Sequence, residues 1–243
     1  MNIILLKRHD FIHNSNSVLI QDERFIHIFQ VLNPNVGQSL KVGLLGGRCG
    51  YGIVESINSK GVVLNVVLNE LAPHRHPIDI ILALPRPKML RRILRTIAEY
   101  GVDNLHLINS ARVEKSFWQS PLLHPEKIHD ALMAGMERSK DTIMTNVFLH
   151  QRFRPFIEDE LLEICGDRNC WLTDMNATRS AVDIDISSKP SVVMIGPEGG
   201  FVPFETHLAI STIAQPIHLG GRTLSVDTAV TTILAQALPK KQD

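Results

Sequence analysis

Two glycine-rich bends in the C-terminal third of the chain have the composition of a ligand-binding site. The first glycine bend, Gly196-Pro197-Glu198-Gly199-Gly200, follows the apolar run Ser191–Ile195, and a helical pattern begins after Pro203. A short apolar run bounded by turn residues is typical of a buried strand. Open α/β sheets bind ligands at the carboxyl ends of such strands, and glycine there lets a ligand approach the backbone.

The residues of the first glycine bend narrow the class of ligand. The pattern Gly-x-x-Gly-Gly matches neither the Gly-x-Gly-x-x-Gly dinucleotide fingerprint nor the phosphate loop that ends in Gly-Lys-Ser/Thr. The carboxylate of Glu198 would repel a polyphosphate, which favours an electroneutral or cationic ligand. Taken alone, the bend could equally be a tight strand-to-helix turn without a ligand.

A second glycine bend, Gly220-Gly221, repeats the arrangement between the apolar run Ile217–Leu219 and a helical pattern over Ala229–Leu238. The two motifs are Ile-Gly-Pro-Glu-Gly-Gly-Phe and, about twenty residues later, Leu-Gly-x-Arg-x-Leu-x-x-Asp-Thr-Ala. This pair resembles the ribosomal RNA small subunit methyltransferase E family, which belongs to the SPOUT superfamily of knotted methyltransferases. The resemblance extends over nearly the whole chain.

The resemblance implies an S-adenosylmethionine-dependent methyltransferase that modifies N3 of a uridine in small-subunit (16S) ribosomal RNA. Main-chain groups freed by the glycines would bind the cofactor in a bent shape, with Leu219 and Leu224 on the two faces of its adenine. The implied cofactor-binding residues are Leu172, Thr173, Ile195, Gly196, Gly199, Gly200, Leu219, Gly220, Gly221, Leu224 and Ala229.

Methyl transfer from a sulfonium needs no covalent nucleophile, so the protein chiefly holds donor and acceptor in line. Uridine N3 carries a proton, and its removal or the stabilisation of the uridine anion is required. We expect Arg222 to stabilise the anion and Asp227 to accept the proton. The alternatives are phosphate binding by Arg222 and capping of the last helix by Asp227.

Basic residues near the second domain's first helix and the loop over residues 109–123 are candidates for RNA binding. The helix predicted over Pro87–Tyr100 carries the densest basic cluster, and the loop combines cations with Phe117 and Trp118. The alternatives are a solvated helix face and aromatic side chains that only pin the loop. The candidate RNA-binding residues are Arg86, Lys88, Arg91, Arg92, Arg112 and Lys115.

The elements that position these residues alternate between strand and helix from residue 73 onward, which predicts a parallel sheet covered by helices. The resemblance adds a trefoil knot to this SPOUT methyltransferase domain, over residues 73–243. The predicted strands are Ile78–Leu84, Asn104–Ile108, Asn146–His150, Cys170–Thr173, Ser191–Ile195 and Pro216–Leu219.

Residues 1–72 read as a small β-barrel with one helix over Glu23–Leu32, and the resemblance implies a PUA-like RNA-binding domain. The fold prediction is therefore α/β, with the barrel preceding the knotted parallel-sheet domain. The predicted strands of the barrel are Gln38–Leu44, Gly50–Ile57 and Val62–Asn69. Cations available for phosphate contacts, each more often an ordinary solvated charge, are Lys7, Arg8, Arg24, Lys41 and Arg48.

Composition excludes some classes of partner. The formal net charge is zero, so any RNA site must be a local basic patch. No apolar run reaches the roughly 20 residues of a membrane span, and three cysteines without a Cys-x-x-Cys pair favour reduced thiols in the cytoplasm. His74 and His76 lack nearby carboxylates or thiols, so we expect no metal. A homodimer is implied by the resemblance.

Two other functions remain open from the sequence. The methyl acceptor could be another RNA. Alternatively the chain could be a catalytically inactive RNA-binding or ribosome-assembly factor, because Gln30, Asn33 and Ser225 stand where the resembled family usually carries arginine. A dehydrogenase is disfavoured because the dinucleotide fingerprint is missing.

Overall fold

In the computed structural model, which describes residues 2–13, 15–187 and 189–238, the chain divides into two compact units. The first consists of Met1–His74 and Met133–Met144, and the second of Arg75–Leu132 and Thr145–Asp243. The first unit thus includes residues 133–144, which the sequence boundary between residues 72 and 73 assigns to the second domain.

The first unit is built on one sheet that, in the described part of the chain, has five strands in the order β1-β3-β4-β5-β2. Strand β1 is parallel to β3, and the other neighbours are antiparallel. The sequence did not predict β1 and β2, which are only three and four residues long and too short to show a clear alternation. The strands are Ile4–Leu6 (β1), Ser17–Ile20 (β2), Ser39–Leu44 (β3), Cys49–Asn58 (β4) and Gly61–Glu70 (β5).

A short helix covers the core of this unit. Helix α1 (Glu23–His27) continues as a π-helical turn over Ile28–Leu32, so the helix predicted over residues 23–32 forms with a change of helical type. Its buried side chains Phe25 and Ile28 pack into the apolar core between the strands. The turn ends at Asn33, whose left-handed conformation (φ 39°) lets its N–H bond the carbonyl of Ile28 at 2.8 Å.

Arg24 is a structural cation rather than a solvated charge. Its guanidinium is buried and donates two hydrogen bonds to the Asp10 carboxylate, at 2.7 and 2.8 Å, and one to the carbonyl oxygen of Leu5 at 2.7 Å. It also bonds Asp22, and these hydrogen bonds lower the pKa of the Asp22 carboxyl. The expectation that Arg24 is available for RNA is therefore wrong, because its donors are directed into the unit.

The second unit contains a parallel sheet in the order β11-β9-β10-β6-β7-β8 within the described residues. All predicted strands of this region are present, and every residue of β6 and β10 is buried, as expected for strands covered on both faces. The strands are Ile78–Ala83 (β6), Asn104–Ile108 (β7), Asn146–His150 (β8), Asn169–Thr173 (β9), Ser191–Ile195 (β10) and Gln215–Ile217 (β11).

Helices connect these strands. Helix α2 buries Leu90, Ile93, Leu94 and Ile97 at helical spacing and ends at Gly101, which has a φ of 72°. A π-helical turn over Phe156–Glu160 joins α4 and α5, a helical segment that the sequence did not predict. The helices are Pro87–Tyr100 (α2), Pro125–Ser139 (α3), Phe153–Pro155 (α4), Leu161–Cys165 (α5), Pro203–Thr212 (α6) and Val226–Gln236 (α7).

The strand order determines which loops meet. Strand β9 pairs with β10 on one side and with β11 on the other, and all three run in the same direction. Their carboxyl ends therefore lie side by side, and the two glycine bends begin there. Among the helices described, none is long and apolar enough to span a membrane.

Replacing Arg24 tests the buried ion pair. We expect Arg24→Ala to lower the free energy of unfolding by about 3–5 kcal/mol, because Asp10 would remain buried and charged without its partner. Urea unfolding at pH 7 measures this difference. Arg8→Ala removes an exposed cation and should change the free energy by less than about 0.5 kcal/mol; equal effects of the two substitutions would contradict the assignment.

Candidate active site

The two glycine bends line one cleft of about 850 Å³. The cleft lies at the carboxyl ends of β9, β10 and β11, and the first turns of α6 and α7 contribute to its walls. Its volume falls within the range of small-molecule and cofactor sites. The two bends therefore meet, because β9 pairs with both β10 and β11.

The first glycine bend is a tight turn whose backbone favours glycine at Gly196 and Gly200. The N–H of Gly200 donates to the carbonyl oxygen of Pro197 at 2.8 Å, and Gly200 has a φ of +71° that side-chain-bearing residues rarely adopt. A Cβ at Gly196 would lie only 3.2 Å from the backbone nitrogen of Phe201. The loop can fold back on itself because that Cβ is absent.

The second glycine bend is more open. Gly220 has a φ of +105°, and its N–H donates to Nδ1 of His218 at 3.1 Å. Gly221 faces open space and does not line the cleft, whereas Leu172 is buried within β9. The other predicted cofactor residues line the cleft: Thr173, Ile195, Gly196, Gly199, Gly200, Leu219, Gly220, Leu224 and Ala229.

Two carboxylates border the cleft. Asp174 follows β9 and accepts a hydrogen bond from the backbone N–H of Asn176 at 2.9 Å. Glu198 lies in the first glycine bend, 3.8 Å from the Arg86 guanidinium. Glu198 was expected from the sequence and Asp174 was not, although a polar residue directly after a predicted strand is a signal for such positions. Arg112 and Arg222 also line the cleft, so its charged groups suit a ligand that carries both positive and negative charge.

The predicted catalytic residues occupy different surroundings. Arg222 is exposed and lines the cleft. Asp227 lies in the first turn of α7, accepts a hydrogen bond from Ser225 Oγ at 2.6 Å and pairs with Arg92 at 3.3 Å. The Ser225 hydroxyl, followed by the charge of Arg92, holds the pKa of Asp227 below its ordinary value. A carboxylate with a lowered pKa is a weak proton acceptor.

Most predicted RNA-binding cations lie on or next to helix α2. Arg86, Lys88, Arg91 and Arg92 are exposed, and the ion pairs of Arg86 and Arg92 with Glu198 and Asp227 connect this surface to the two motifs. In the loop after β7, Lys115 is exposed and Arg112 lines the cleft. The structure therefore brings Arg112 to the same site as the glycine bends.

The aromatic side chains of that loop are partly buried. The indole N–H of Trp118 donates to the side-chain oxygen of Asn109 at 2.9 Å. This bond spans the loop and favours the alternative in which Trp118 fixes the loop conformation. Phe117 lies in the same 3₁₀ turn as Trp118, Lys115–Gln119, and is half-buried.

Glu205, which the sequence analysis missed, connects two loops of the site. It is 4% exposed, and its carboxylate accepts hydrogen bonds from the backbone N–H groups of Ala111 and Val202 at 2.7 and 3.0 Å. The sequence contained a signal for it, because a glutamate two positions after a proline at a helix start is typical of a capping position. Its contact with the loop after β7 required the tertiary fold.

No group of three or more histidine, cysteine, aspartate or glutamate side chains that could hold a metal occurs among the described residues. His76, considered above as a metal ligand, is buried, and its Nε2 lies 2.8 Å from the carbonyl oxygen of Leu234. The three cysteines are free and buried.

Comparison with known proteins places these features in a family. The sequence profile described as RNA methyltransferase domain matches residues 72–238. Ribosomal RNA small subunit methyltransferase E of Treponema pallidum is 28% identical over 98% of the chain and 91% of its own length. Ribosomal RNA small subunit methyltransferase E 1 of Borreliella burgdorferi is 22% identical over 94% of each chain. These findings confirm the resemblance found from the two motifs.

Solved structures share the fold. A ribosomal RNA small subunit methyltransferase E from Neisseria gonorrhoeae, bound to S-adenosyl methionine, superposes with a TM-score of 0.76 at 17% identity and covers 97% of this chain and 95% of its own. A protein of Legionella pneumophila in complex with the same cofactor gives 0.74 at 18% identity, covering 96% and 95%. At these identities the likeness concerns the fold alone.

The ionisation of Asp227 predicts a pH-dependent contribution to stability. Its folded-state pKa is lowered, so the contribution is present above its unfolded pKa of about 3.9 and is lost as the pH falls through the folded value. We expect Asp227→Asn to lower the free energy of unfolding by about 0.5–1 kcal/mol at pH 7 and by less at pH 3.

Urea unfolding of the wild type and the variant at both pH values measures this effect. Asp130→Asn is the matched control, because Asp130 is an exposed helix carboxylate whose Lys127 partner is also exposed. It should have little effect at either pH. A difference at Asp227 that persists unchanged at pH 3 would show that the charge is not its cause.

Proposed function

Because the chain belongs to the RNA methyltransferase domain family, we propose that it transfers a methyl group from S-adenosylmethionine to ribosomal RNA of the small subunit. The observation that carries this proposal is the cleft in which both glycine bends meet. Relatives named ribosomal RNA small subunit methyltransferase E, and structures of the same fold bound to the cofactor, support it.

The residues of the cleft fit S-adenosylmethionine. Leu219 and Leu224 offer apolar surface for the faces of the adenine, and the backbone around Gly196 and Gly220 offers hydrogen-bonding groups unobstructed by side chains. Asp174 and Glu198 supply negative charge for a ligand whose sulfonium and amino groups are positive. When bound, the cofactor supplies an electrophilic methyl group, and the cleft supplies its orientation.

We further propose N3 of a uridine as the acceptor, in line with the family resemblance. Arg222, exposed in the cleft, would stabilise the uridine anion electrostatically. The lowered pKa of Asp227 and its position in the first turn of α7 support the helix-stabilising alternative for this carboxylate. We therefore propose that Asp227 stabilises the start of α7. Through its ion pair with Arg92 it also joins α7 to the basic surface of α2.

The basic surface of α2 is proposed to contact the phosphates of the RNA. Arg86, Lys88, Arg91 and Arg92 are exposed on one helix and its N-terminal approach. Arg86 and Arg92 also pair with carboxylates of the two motifs. The pair of Arg86 with Glu198, which lines the cleft, places this surface next to the cleft, where its cations can contact phosphates.

The finer features of the family are also proposals for this chain. A trefoil knot in the parallel-sheet unit, a PUA-like first domain that binds RNA, and a homodimer follow from the family resemblance. The similarity of fold over 97% of the chain supports the first two. A cytoplasmic location is proposed because ribosomal RNA is the substrate.

The decisive experiment combines calorimetry with a methylation assay. We expect the purified protein to bind S-adenosylmethionine and to transfer labelled methyl groups to RNA of small ribosomal subunits, with N3-methyluridine identified by mass spectrometry. Methylation of transfer RNA instead would favour another target. Cofactor or RNA binding without transfer would favour an inactive assembly factor, for which Ser225 in place of arginine is the motivation. Absence of cofactor binding would contradict the proposal.

Arg222 provides the test of the chemistry. We expect Arg222→Ala to lower kcat about 10²–10³-fold with little change in cofactor affinity, because a preorganised charge acts mainly in the transition state. Single-turnover methylation at saturating RNA measures this. Arg154→Ala is the control, because Arg154 is an exposed residue of α4 that is already paired with Glu158. An increase in the KM for RNA alone would instead indicate phosphate binding by Arg222.

Lys88 and Arg91 provide the test of RNA binding. Each substitution by alanine should weaken RNA binding and reduce the slope of log affinity against log salt by about 0.7–1, the value expected for one lost phosphate contact. Lys127→Ala on α3 removes an exposed cation outside this cluster and should leave the slope unchanged. An unchanged slope in all three variants would show that α2 is only a solvated face.

A further inference from the structure

Arg112 contacts the first glycine bend directly. Its Nη1 donates a hydrogen bond to the carbonyl oxygen of Gly199 and lies 3.4 Å from that of Gly200. Arg112 follows β7, whereas the bend follows β10, so this contact joins two separate loops. Arg112 is a candidate for RNA binding from the sequence, and in the structure its guanidinium contacts the main chain of the cleft.

Glu205 joins the same two loops from the buried side. Its Oε1 accepts from the N–H of Ala111 at 2.7 Å, and its Oε2 accepts from the N–H of Val202 at 3.0 Å and from Ser110 Oγ at 3.3 Å. Ala111 immediately precedes Arg112, and Val202 lies two residues beyond the bend. A nearly fully buried carboxylate that satisfies donors of two loops restricts their relative position.

Gly199 also lies against the side chain of Arg112. A Cβ there would lie 3.0 Å from Cδ of Arg112. Gly199 has no positive φ angle, so alanine could adopt its backbone conformation. A side chain at position 199 would therefore press on Arg112 and displace it, in contrast to Gly200, where the backbone conformation itself favours glycine.

We propose that Arg112 and Glu205 are positioning residues, which together form a loop latch that holds the first glycine bend in the shape required for S-adenosylmethionine. This inference rests on the proposed function, because it takes the cleft as the cofactor site. Arg112 acts through the carbonyl groups of the bend, and Glu205 acts through the N–H groups that flank it. Both set the direction in which the main chain of the bend faces the cleft.

Cofactor affinity measured by calorimetry on the full chain tests the latch. Arg112→Ala should raise the Kd for S-adenosylmethionine about 5- to 30-fold, because a charge-assisted hydrogen bond to the bend is lost. The KM for the cofactor should rise correspondingly, and that for RNA much less. An unchanged cofactor Kd with a raised KM for RNA would overturn the latch while leaving the proposed function intact. If the wild-type protein does not bind the cofactor, the proposed function fails and the latch fails with it.

A double-mutant cycle gives a readout that a merely structural role would not produce. Gly199→Ala should weaken cofactor binding when Arg112 is present and do so less in the Arg112→Ala background, where the contact with Cδ is removed. Additive effects would overturn the assignment, since they would mean that the ligand itself excludes the methyl group.

Two further variants complete the test. Glu205→Gln keeps the shape of the side chain but places an amide nitrogen against one of the donors, so cofactor affinity should fall as in Arg112→Ala. Circular dichroism and thermal unfolding establish whether Glu205→Gln, a change at a buried position, leaves the protein folded. If it does not, Arg112→Ala still tests the latch, because Arg112 is exposed. Lys127→Ala, which removes an exposed cation on α3, should leave the cofactor Kd unchanged. A Kd raised equally by Lys127→Ala would show that the loss of a surface charge in general, and not the latch, is responsible.

Discussion

The parallel pairing of β9 with both β10 and β11 is the constraint on which the site depends. In a parallel sheet the strands end at the same edge, so three loops must meet there. The backbone hydrogen bonds of the sheet thus bring together the segments after Thr173, Ile195 and Ile217, which are far apart in sequence. Because several residues of these segments are glycines without side chains, a cleft remains between them that is bordered largely by main chain and apolar side chains.

Polar contacts fix these loops where the sheet no longer does. Beyond the ends of the strands, the loop after β7 and the first glycine bend are joined by Arg112 and Glu205, and the start of α7 is joined to α2 by the Asp227–Arg92 pair. In the first unit, Arg24 plays a comparable part between Asp10 and Asp22. In each case at least one charged group is buried or largely buried, namely Glu205, Asp227 or Arg24, and such a charge without a partner is costly.

The proposed division between cofactor and RNA binding follows from the kinds of groups involved. The cleft presents backbone and apolar surface, which tolerate changes of side chain elsewhere in the site. The surface of α2 presents exposed cations, for which each residue matters through its charge. A match to the family in the two motifs is therefore compatible with differences in the residues that would contact RNA.

The sequence by itself determined the strands of the second unit, the amphipathic face of α2 and the two glycine bends, because buried runs, helical spacing and glycine are local signals. Its two motifs also indicated the family, which the comparison confirms. Only the tertiary structure showed that Arg24 is buried, that Glu205 reaches Ala111, and that Arg112 binds the first glycine bend. Each of these depends on a partner distant in sequence or on burial of a charge, and neither the spacing nor the type of a residue specifies which loop will lie opposite it.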